Sequence, residues 1–118
     1  MAIRAIDHLY LETRAFEQTV AFWERLGFRL VAQWESGGHR AGRLEAGAAA
    51  IVIAESTTPV QTVHFRLADA DAYAERLARQ DGVTVETPLE GTHWGTRWIR
   101  VRDPDGRVFA LEETGASA

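Results

Sequence analysis

The sequence predicts an α+β fold that is built from two βαβββ units. Strand-like and helix-like segments occur twice in the same order, which is the first observation behind this prediction. The second is a set of three residue pairs that recur 55 to 59 positions apart: His8 with His64, Gly27 with Gly82, and Gly47 with Gly106. Near-constant offsets between equivalent residues indicate an internal repeat.

We expect a single domain over residues 1–118, with repeat units at about 3–56 and 60–113. A unit of this size buries its sheet poorly on its own, so the two units are expected to pair. Paired units would form a curved mixed sheet with both helices on its outer face. The opposite face would then be a trough that holds a ligand.

The first unit begins with residues 3–12, whose alternating, β-rich pattern predicts a strand. Phe16, Val20 and Trp23 then recur at helical spacing, and Gly27 ends this helix. The rest of the unit predicts three strands that are separated by glycine-containing turns, over residues 28–34, 39–45 and 50–55.

The second unit begins with a predicted strand over residues 61–67 and a helix over 69–80, with Asp69 as the expected N-cap. Near its end, the sequence Asp-Pro-Asp-Gly at 103–106 places proline second and glycine fourth, as a type I turn prefers. The other segments predict a short strand over 83–86, a loop over 87–95, and a hairpin of strands over 96–102 and 107–112.

Composition excludes several classes of function. The formal net charge of −4 leaves no basic excess to neutralise nucleic-acid phosphates. The absence of cysteine excludes disulfides and thiolate chemistry. No segment approaches the roughly 18 apolar residues of a membrane span, and the first residues lack the apolar core of a signal peptide. We therefore expect a cytoplasmic protein that binds neither nucleic acid nor membranes.

Strand alternation predicts which side chains face the trough, because successive residues of a strand point to opposite faces. Leu9, Leu11, Phe65 and Ile99 fit the face that packs against the helices. The other face then carries the candidate site residues, namely His8, Tyr10, Val52, His64, Arg66, Trp98, Arg100, Ala110 and Glu112.

Aromatic and arginine side chains on this face indicate a small-molecule site. Trp98 offers a flat wall to a planar ligand, and Trp94 lies in a loop at the rim. Trp34 would complete the wall or contact a second copy of the chain. Arg66 and Arg100 would favour an anionic or carbonyl-bearing ligand through charge-assisted hydrogen bonds, although solvated surface arginines are the simpler alternative.

The segments FWERLGF, after the first helix, and RVRDPDGRVFALEE, at the end, resemble the vicinal oxygen chelate superfamily. This superfamily includes glyoxalase I, extradiol dioxygenases, fosfomycin-resistance enzymes and bleomycin-resistance proteins. The resemblance covers Ile3 to Glu113. The stretch WGTRWIRVRDPDG is most similar to the bleomycin-resistance-like, antibiotic-binding branch.

The resemblance implies four metal-ligand positions, which fall on His8, Val52, His64 and Ala110 in this chain. Both histidines are present, whereas Val52 and Ala110 stand where carboxylates are expected. Glu112 lies two residues further along the same face and would complete a His-His-Glu site for Fe, Mn, Ni or Zn if its strand were shifted. Catalytic metal sites usually have three protein ligands.

These departures favour a protein that sequesters a planar or bulky small molecule without a metal, and the resemblance implies a homodimer. No cofactor is therefore favoured. The alternative is a metal-dependent lyase, isomerase, thiol transferase or dioxygenase that uses His8, His64 and Glu112, with Tyr10 or Glu12 as proton carriers. A third hypothesis is a pocket that senses a metabolite and changes a partner.

Overall fold

The computed structural model describes residues 2–113, which form eight strands and two helices in the order βαβββ, repeated once. The predicted α+β class is confirmed. Neither helix combines the length and the apolar composition that a membrane-spanning helix needs. The elements are β1 (Ile3–Thr13), α1 (Phe16–Arg25), β2 (Arg29–Ser36), β3 (His39–Ala46), β4 (Ala49–Glu55), β5 (Gln61–Leu67), α2 (Ala70–Ala78), β6 (Thr84–Gly91), β7 (Arg97–Arg102) and β8 (Val108–Glu113).

The chain divides into two compact units, which differ from the sequence repeats in one respect. The first unit is Asp7–Gln61, and the second consists of the described residues 2–6 together with 62–113. The start of β1 therefore lies in the unit of the second repeat. Immediately before β1, the carbonyl oxygen of Ala2 accepts the backbone N–H of Ala68, a residue of the second repeat, at 2.8 Å.

In the first unit the strands are hydrogen-bonded in the order β2-β3-β4-β1. β1 pairs in parallel with β4, and the other pairs are antiparallel. Helix α1 packs Phe16 and Val20 against a core that includes Leu44, Ile51 and Ile53. Leu9 and Leu11 of β1 pack against the same cluster, which confirms the predicted helix-packed face of that strand.

In the second unit the order is β1-β5-β8-β7-β6. β5 pairs in parallel with β8, whereas β7 is antiparallel to both of its neighbours. Ala70 and Tyr73 of α2 pack with Leu67, Ile99 and Leu111. Because Phe65 and Val101 join this cluster as well, the predicted alternation of β5, β7 and β8 is confirmed.

The strand predicted over residues 83–86 is longer in the structure, where β6 covers Thr84–Gly91. Thr87 pairs with Arg100 and Glu90 with Trp98, across two register irregularities. Pro88 lies within this strand, although proline has no N–H to donate to a sheet. β6 is the outermost strand of its sheet, where one edge needs no hydrogen bonds, so the prediction of a loop over 87–95 was wrong in its first half.

Asp69 occupies the predicted N-cap position of α2, but its side chain does not cap the helix. Asp69 precedes α2 but adopts a left-handed conformation with φ 54°, and its side chain makes no capping hydrogen bond. The carboxylate of Glu113 accepts the N–H of Ala70 at 3.1 Å instead. The helix start is therefore satisfied by a residue at the end of β8, which local sequence rules do not consider.

A turn forms before β8 at the predicted residues 103–106. The N–H of Gly106 donates to the carbonyl oxygen of Asp103 at 2.9 Å, as expected for a four-residue turn. The Asp103 carboxylate also accepts the N–H groups of Asp105 and Arg107 at 3.0 and 2.9 Å. This turn fixes the start of β8, the strand that carries Ala110 and Glu112.

Candidate functional site

A buried histidine–glutamate pair lies on the sheet of the second unit, on the face opposite α2. The parallel register places His64 beside Ala110 and Arg66 beside Glu112. His64 Nδ1 lies 2.9 Å from Glu112 Oε1, and the two residues are only 6% and 2% exposed. Because the Glu112 carboxylate can only accept a hydrogen bond from Nδ1, this contact favours the imidazole tautomer of His64 that carries its proton on Nδ1.

Three donors hold the Glu112 carboxylate. Besides the His64 contact at Oε1, the indole N–H of Trp94 donates to Oε2 at 2.7 Å and the hydroxyl of Thr96 donates to Oε2 at 2.6 Å. Burial by itself would raise the pKa of Glu112, but the hydrogen bonds from His64, Thr96 and Trp94 outweigh burial and lower it. Glu112 is therefore an ionised, buried and well-satisfied carboxylate at neutral pH.

The loop that supplies two of these donors is closed by its own hydrogen bonds. The backbone N–H of Thr92 donates to the carbonyl oxygen of Thr96 at 2.8 Å, and the N–H of Thr96 donates to the Thr92 hydroxyl oxygen at 3.0 Å. The two hydroxyl oxygens lie 2.8 Å apart. Thr96 was missed from sequence, since its only signal is its position immediately before the strand of Trp98.

The predicted aromatic residues of this unit do lie together. Trp94 and Trp98 form an edge-to-face pair with ring centroids 5.1 Å apart, and the ring of Trp98 lies 6.0 Å from that of His64. The guanidinium carbon of Arg100 lies 5.0 Å from the centroid of Trp98, within the range of a cation–π interaction. The Trp98 indole N–H donates to Glu90 at 3.0 Å.

In the first unit His8 has a comparable environment. It is 8% exposed, and its Nδ1 lies 2.8 Å from Oδ2 of Asp7. A guanidinium nitrogen of Arg43 lies 3.8 Å from the same oxygen. Asp7 was missed from the sequence, although its position next to His8 was the available signal. Each repeat thus contains a buried histidine with a carboxylate at Nδ1.

The remaining predicted residues have different environments. Tyr10 and Val52 are register partners on β1 and β4. The Tyr10 hydroxyl donates to Glu12 at 2.9 Å, and burial, followed by that contact, raises the pKa of Tyr10. Arg66 is exposed and Ala110 is 2% exposed.

Trp34 lies on a different strand from Tyr10 and Val52 and is not a neighbour of either in the sheet. It lies on β2, the outermost strand of its sheet, and β3 and β4 separate that strand from β1. Its 41% exposure and its edge position fit a residue that contacts solvent or another chain better than one that lines a wall with Tyr10.

Comparison with known sequences identifies the family. The sequence profile of the Glyoxalase/Bleomycin resistance protein/Dioxygenase superfamily matches residues 5–111. An uncharacterized protein of Mycolicibacterium smegmatis is 28% identical over 116 residues, which cover 92% of this chain and 95% of that protein. An uncharacterized protein of Mycobacterium tuberculosis is 44% identical over 54 residues, but these cover 46% of this chain and 31% of that longer relative.

Solved structures show the same fold at low sequence identity. Methylmalonyl-CoA epimerase from Mycobacterium tuberculosis has a TM-score of 0.77 at 21% identity, with 98% of this chain and 91% of that chain covered. A superfamily member from Vibrio splendidus has a TM-score of 0.74 at 13% identity, with coverages of 94% and 98%. A variant of homoprotocatechuate 2,3-dioxygenase from B. fuscum has a TM-score of 0.68 at 16% identity, with coverages of 95% and 33%. The chain therefore belongs to the glyoxalase/bleomycin resistance protein/dioxygenase superfamily.

Proposed function

We propose that this chain binds a planar small molecule on the second unit and sequesters it without a metal. The observation that carries this proposal is the cluster of Trp94, Trp98 and Arg100 beside the buried pair of His64 and Glu112. Large aromatic side chains with a few placed polar groups are typical of small-molecule sites. Trp94 is 49% exposed, so its ring offers accessible surface for stacking.

The carboxylate of Glu112 supports the absence of a metal in this proposal. Both of its oxygens already accept hydrogen bonds, from His64 at Oε1 and from Trp94 and Thr96 at Oε2. A metal ion would have to displace at least one of these donors. The family resemblance implies a metal-binding carboxylate at position 110. Ala110 is buried beside His64, and its methyl side chain cannot bind a metal.

Arg100 would select the ligand by charge. Its guanidinium lies over Trp98, and its Nε donates to the hydroxyl of Thr87 at 3.0 Å. A planar ligand that carries a carboxylate or carbonyl group would stack on an indole ring and accept a charge-assisted hydrogen bond from this guanidinium. Planar aromatic carboxylates are therefore the ligand class that the proposal names.

Ligand titrations test the proposal. Planar aromatic carboxylates and planar aromatic antibiotics are titrated in EDTA, and binding is measured by calorimetry and by quenching of tryptophan fluorescence. We expect Trp98→Leu to weaken the binding at least tenfold, whereas Trp34→Leu, which changes an exposed tryptophan on β2, leaves it unchanged. Equal affinities for wild type and Trp98→Leu, or binding that requires added metal, would contradict the proposal.

A metal-dependent enzyme is the second candidate, and one observation favours it. His8 has a carboxylate at Nδ1, from Asp7, as metal-ligating histidines often do. We propose for this candidate that His8 and His64 hold Fe, Mn, Ni or Zn, with Glu112 as the third ligand. The histidines fit such an ion, whereas Val52 does not supply the carboxylate that the resemblance implies.

In this second candidate a bound ion would polarise the oxygen atoms of a substrate. The chain's own proton carrier would be the pair of Tyr10 and Glu12, because the phenol already donates to the carboxylate at 2.9 Å. Glu112 would have to exchange its bonds from Trp94 and Thr96 for the ion. The reaction class would be lyase, isomerase, thiol transferase or dioxygenase.

Elemental analysis separates the two candidates. The protein is loaded with each of the four metals, dialysed, and assayed for bound metal. The enzyme is supported if the wild type retains one equivalent of metal. His8→Ala and His64→Ala should then lose this metal, whereas His39→Ala, which changes an exposed histidine, should keep it. Loss of all metal from the wild type on dialysis would contradict it and would leave the binding protein as the function.

We also propose a homodimer, as the family resemblance implies. Val31 and Trp34 are each 41% exposed on the edge strand β2, which gives a second copy an apolar surface to cover. Sedimentation equilibrium tests this proposal, and a monomer at micromolar concentration would contradict it.

A further inference from the structure

Two adjoining cavities lie beside α2, on the face of the second unit that is opposite His64. The first has a volume of about 250 Å³, and its lining includes Phe65, Leu77 and Val101. The second has a volume of about 560 Å³, and its lining includes Arg4 and Arg76. Ile3 and Tyr73 line both cavities, so an apolar space lies next to a polar one.

The apolar cavity exists because the side chains of α2 cover the sheet of the second unit less completely than those of α1 cover the sheet of the first. Helix α1 presents Phe16, Val20 and Trp23 to its core, whereas two of the four α2 side chains in the second core are alanines, Ala70 and Ala74, beside Tyr73 and Leu77. The side chains around the cavity consequently remain partly accessible, as the 40% exposure of Val83 at its edge shows. Apolar surface that stays accessible inside a unit can be covered by an apolar ligand group.

The polar cavity carries a net positive charge. Its lining contains the two arginines Arg4 and Arg76 and one carboxylate, Asp69. The guanidinium carbon of Arg76 lies 5.2 Å from the ring centroid of Tyr73, which places this cation where the two cavities meet. An anionic group at this junction would meet Arg76, while its apolar remainder would extend below α2.

We propose that these cavities bind an amphiphile with an anionic head and a short alkyl tail, namely a medium-chain carboxylate. The apolar cavity is smaller than the 300–1,000 Å³ or so of pockets for drug-sized ligands. A water molecule takes up about 30 Å³ of liquid volume, and a methylene is close to that size. A volume of about 250 Å³ therefore holds about eight such groups. A carboxylate of about eight carbons, octanoate, therefore fills the apolar cavity, and this binding is separate from the proposed site at His64.

Calorimetry with a series of unbranched carboxylates tests the proposal. Each added methylene is expected to tighten the binding about fourfold from butanoate to octanoate, because burial of one methylene contributes a nearly constant increment. The increase should stop beyond octanoate, when the apolar cavity is full. Octylammonium and 1-octanol should bind at least tenfold more weakly than octanoate, since neither has an anionic head.

Two exposed arginines of the second unit provide a matched pair of variants. Arg76→Gln should weaken octanoate binding at least fivefold and leave 1-octanol binding unchanged, whereas Arg79→Gln, at the end of the same helix and outside both cavities, should change neither. His64→Ala should retain the octanoate affinity. Four results would each overturn the proposal. They are equal affinities for octanoate and octylammonium, affinities that do not depend on chain length, no binding of any alkyl compound, and loss of octanoate binding in His64→Ala.

Discussion

Replacing Thr96 by valine tests how the buried carboxylate of Glu112 is stabilised. Thr96 donates its hydroxyl hydrogen to Glu112 Oε2 at 2.6 Å, and Glu112 is only 2% exposed. Valine keeps the branched shape but removes the donor, and water has little access to replace it. A hydrogen bond to a charged group contributes about 1.5–3 kcal/mol, so we expect the free energy of unfolding at pH 7 to fall by about that amount. At roughly 4 °C per kcal/mol for a chain of this size, the melting temperature should fall by about 6–12 °C.

The effect of Thr96→Val should depend on pH in a defined direction. The folded-state pKa of Glu112 lies below its ordinary value, so ionisation of this group adds stability above the unfolded-state pKa of about 4.3. That stability is lost as the pH falls through the lower, folded-state pKa. Because the variant loses a donor to the ionised form, the difference between wild type and variant should be largest at pH 7 and should shrink towards pH 3.

Urea denaturation in EDTA at pH 7 and pH 3.5 measures this difference. Thr84→Val is the matched control, because Thr84 is an exposed residue at the start of β6 and the same chemical change there should alter stability by less than about 0.5 kcal/mol. A loss of equal size at both pH values would show that the effect is steric rather than electrostatic. No loss at pH 7 would refute the argument that Thr96 stabilises the charge of Glu112.

Three further predictions concern the fold. Glu113→Ala should lower the free energy of unfolding by about 1 kcal/mol in urea denaturation, because the N–H of Ala70 loses its acceptor at the start of α2; an unchanged midpoint would contradict this role. Asp69→Gly should raise the melting temperature, since Asp69 holds φ 54° without a capping bond, and a lower melting temperature would count against strain there. Leu44→Ala should cost about 2–5 kcal/mol by urea denaturation, as Leu44 is fully buried, and a cost below about 1 kcal/mol would mean that this core is loosely packed.

Part of the site was predictable from local sequence patterns. The alternation of Leu9 and Leu11 with His8 gave the orientation of β1, because neighbouring residues of a strand must point to opposite faces. The same rule placed Trp98 and Arg100 opposite Ile99, and the structure confirms that the two side chains lie together. Such predictions need only the period of a strand and the identity of its apolar residues.

The partners of Glu112 were not predictable in this way. Whether Glu112 bonds to His64, 48 positions earlier, depends on the register of two strands that are adjacent in the sheet and distant in sequence. The donors Trp94 and Thr96 reach Glu112 because the loop between β6 and β7 closes through Thr92, and this loop is shorter than the predicted one. Side-chain contacts of this kind depend on where separate elements meet.

By itself, the sequence determined the α+β class, the order of elements in each repeat and the helix-packed face of β1, β5, β7 and β8. These features follow from periodicity, turn residues and helix spacing, all of which act over a few neighbouring positions. Only the tertiary structure decided that β6 continues past Pro88, that Glu113 rather than Asp69 satisfies the start of α2, and that three donors surround Glu112. Those outcomes depend on hydrogen bonds between residues far apart in the chain, which form only once the sheet has brought their strands together.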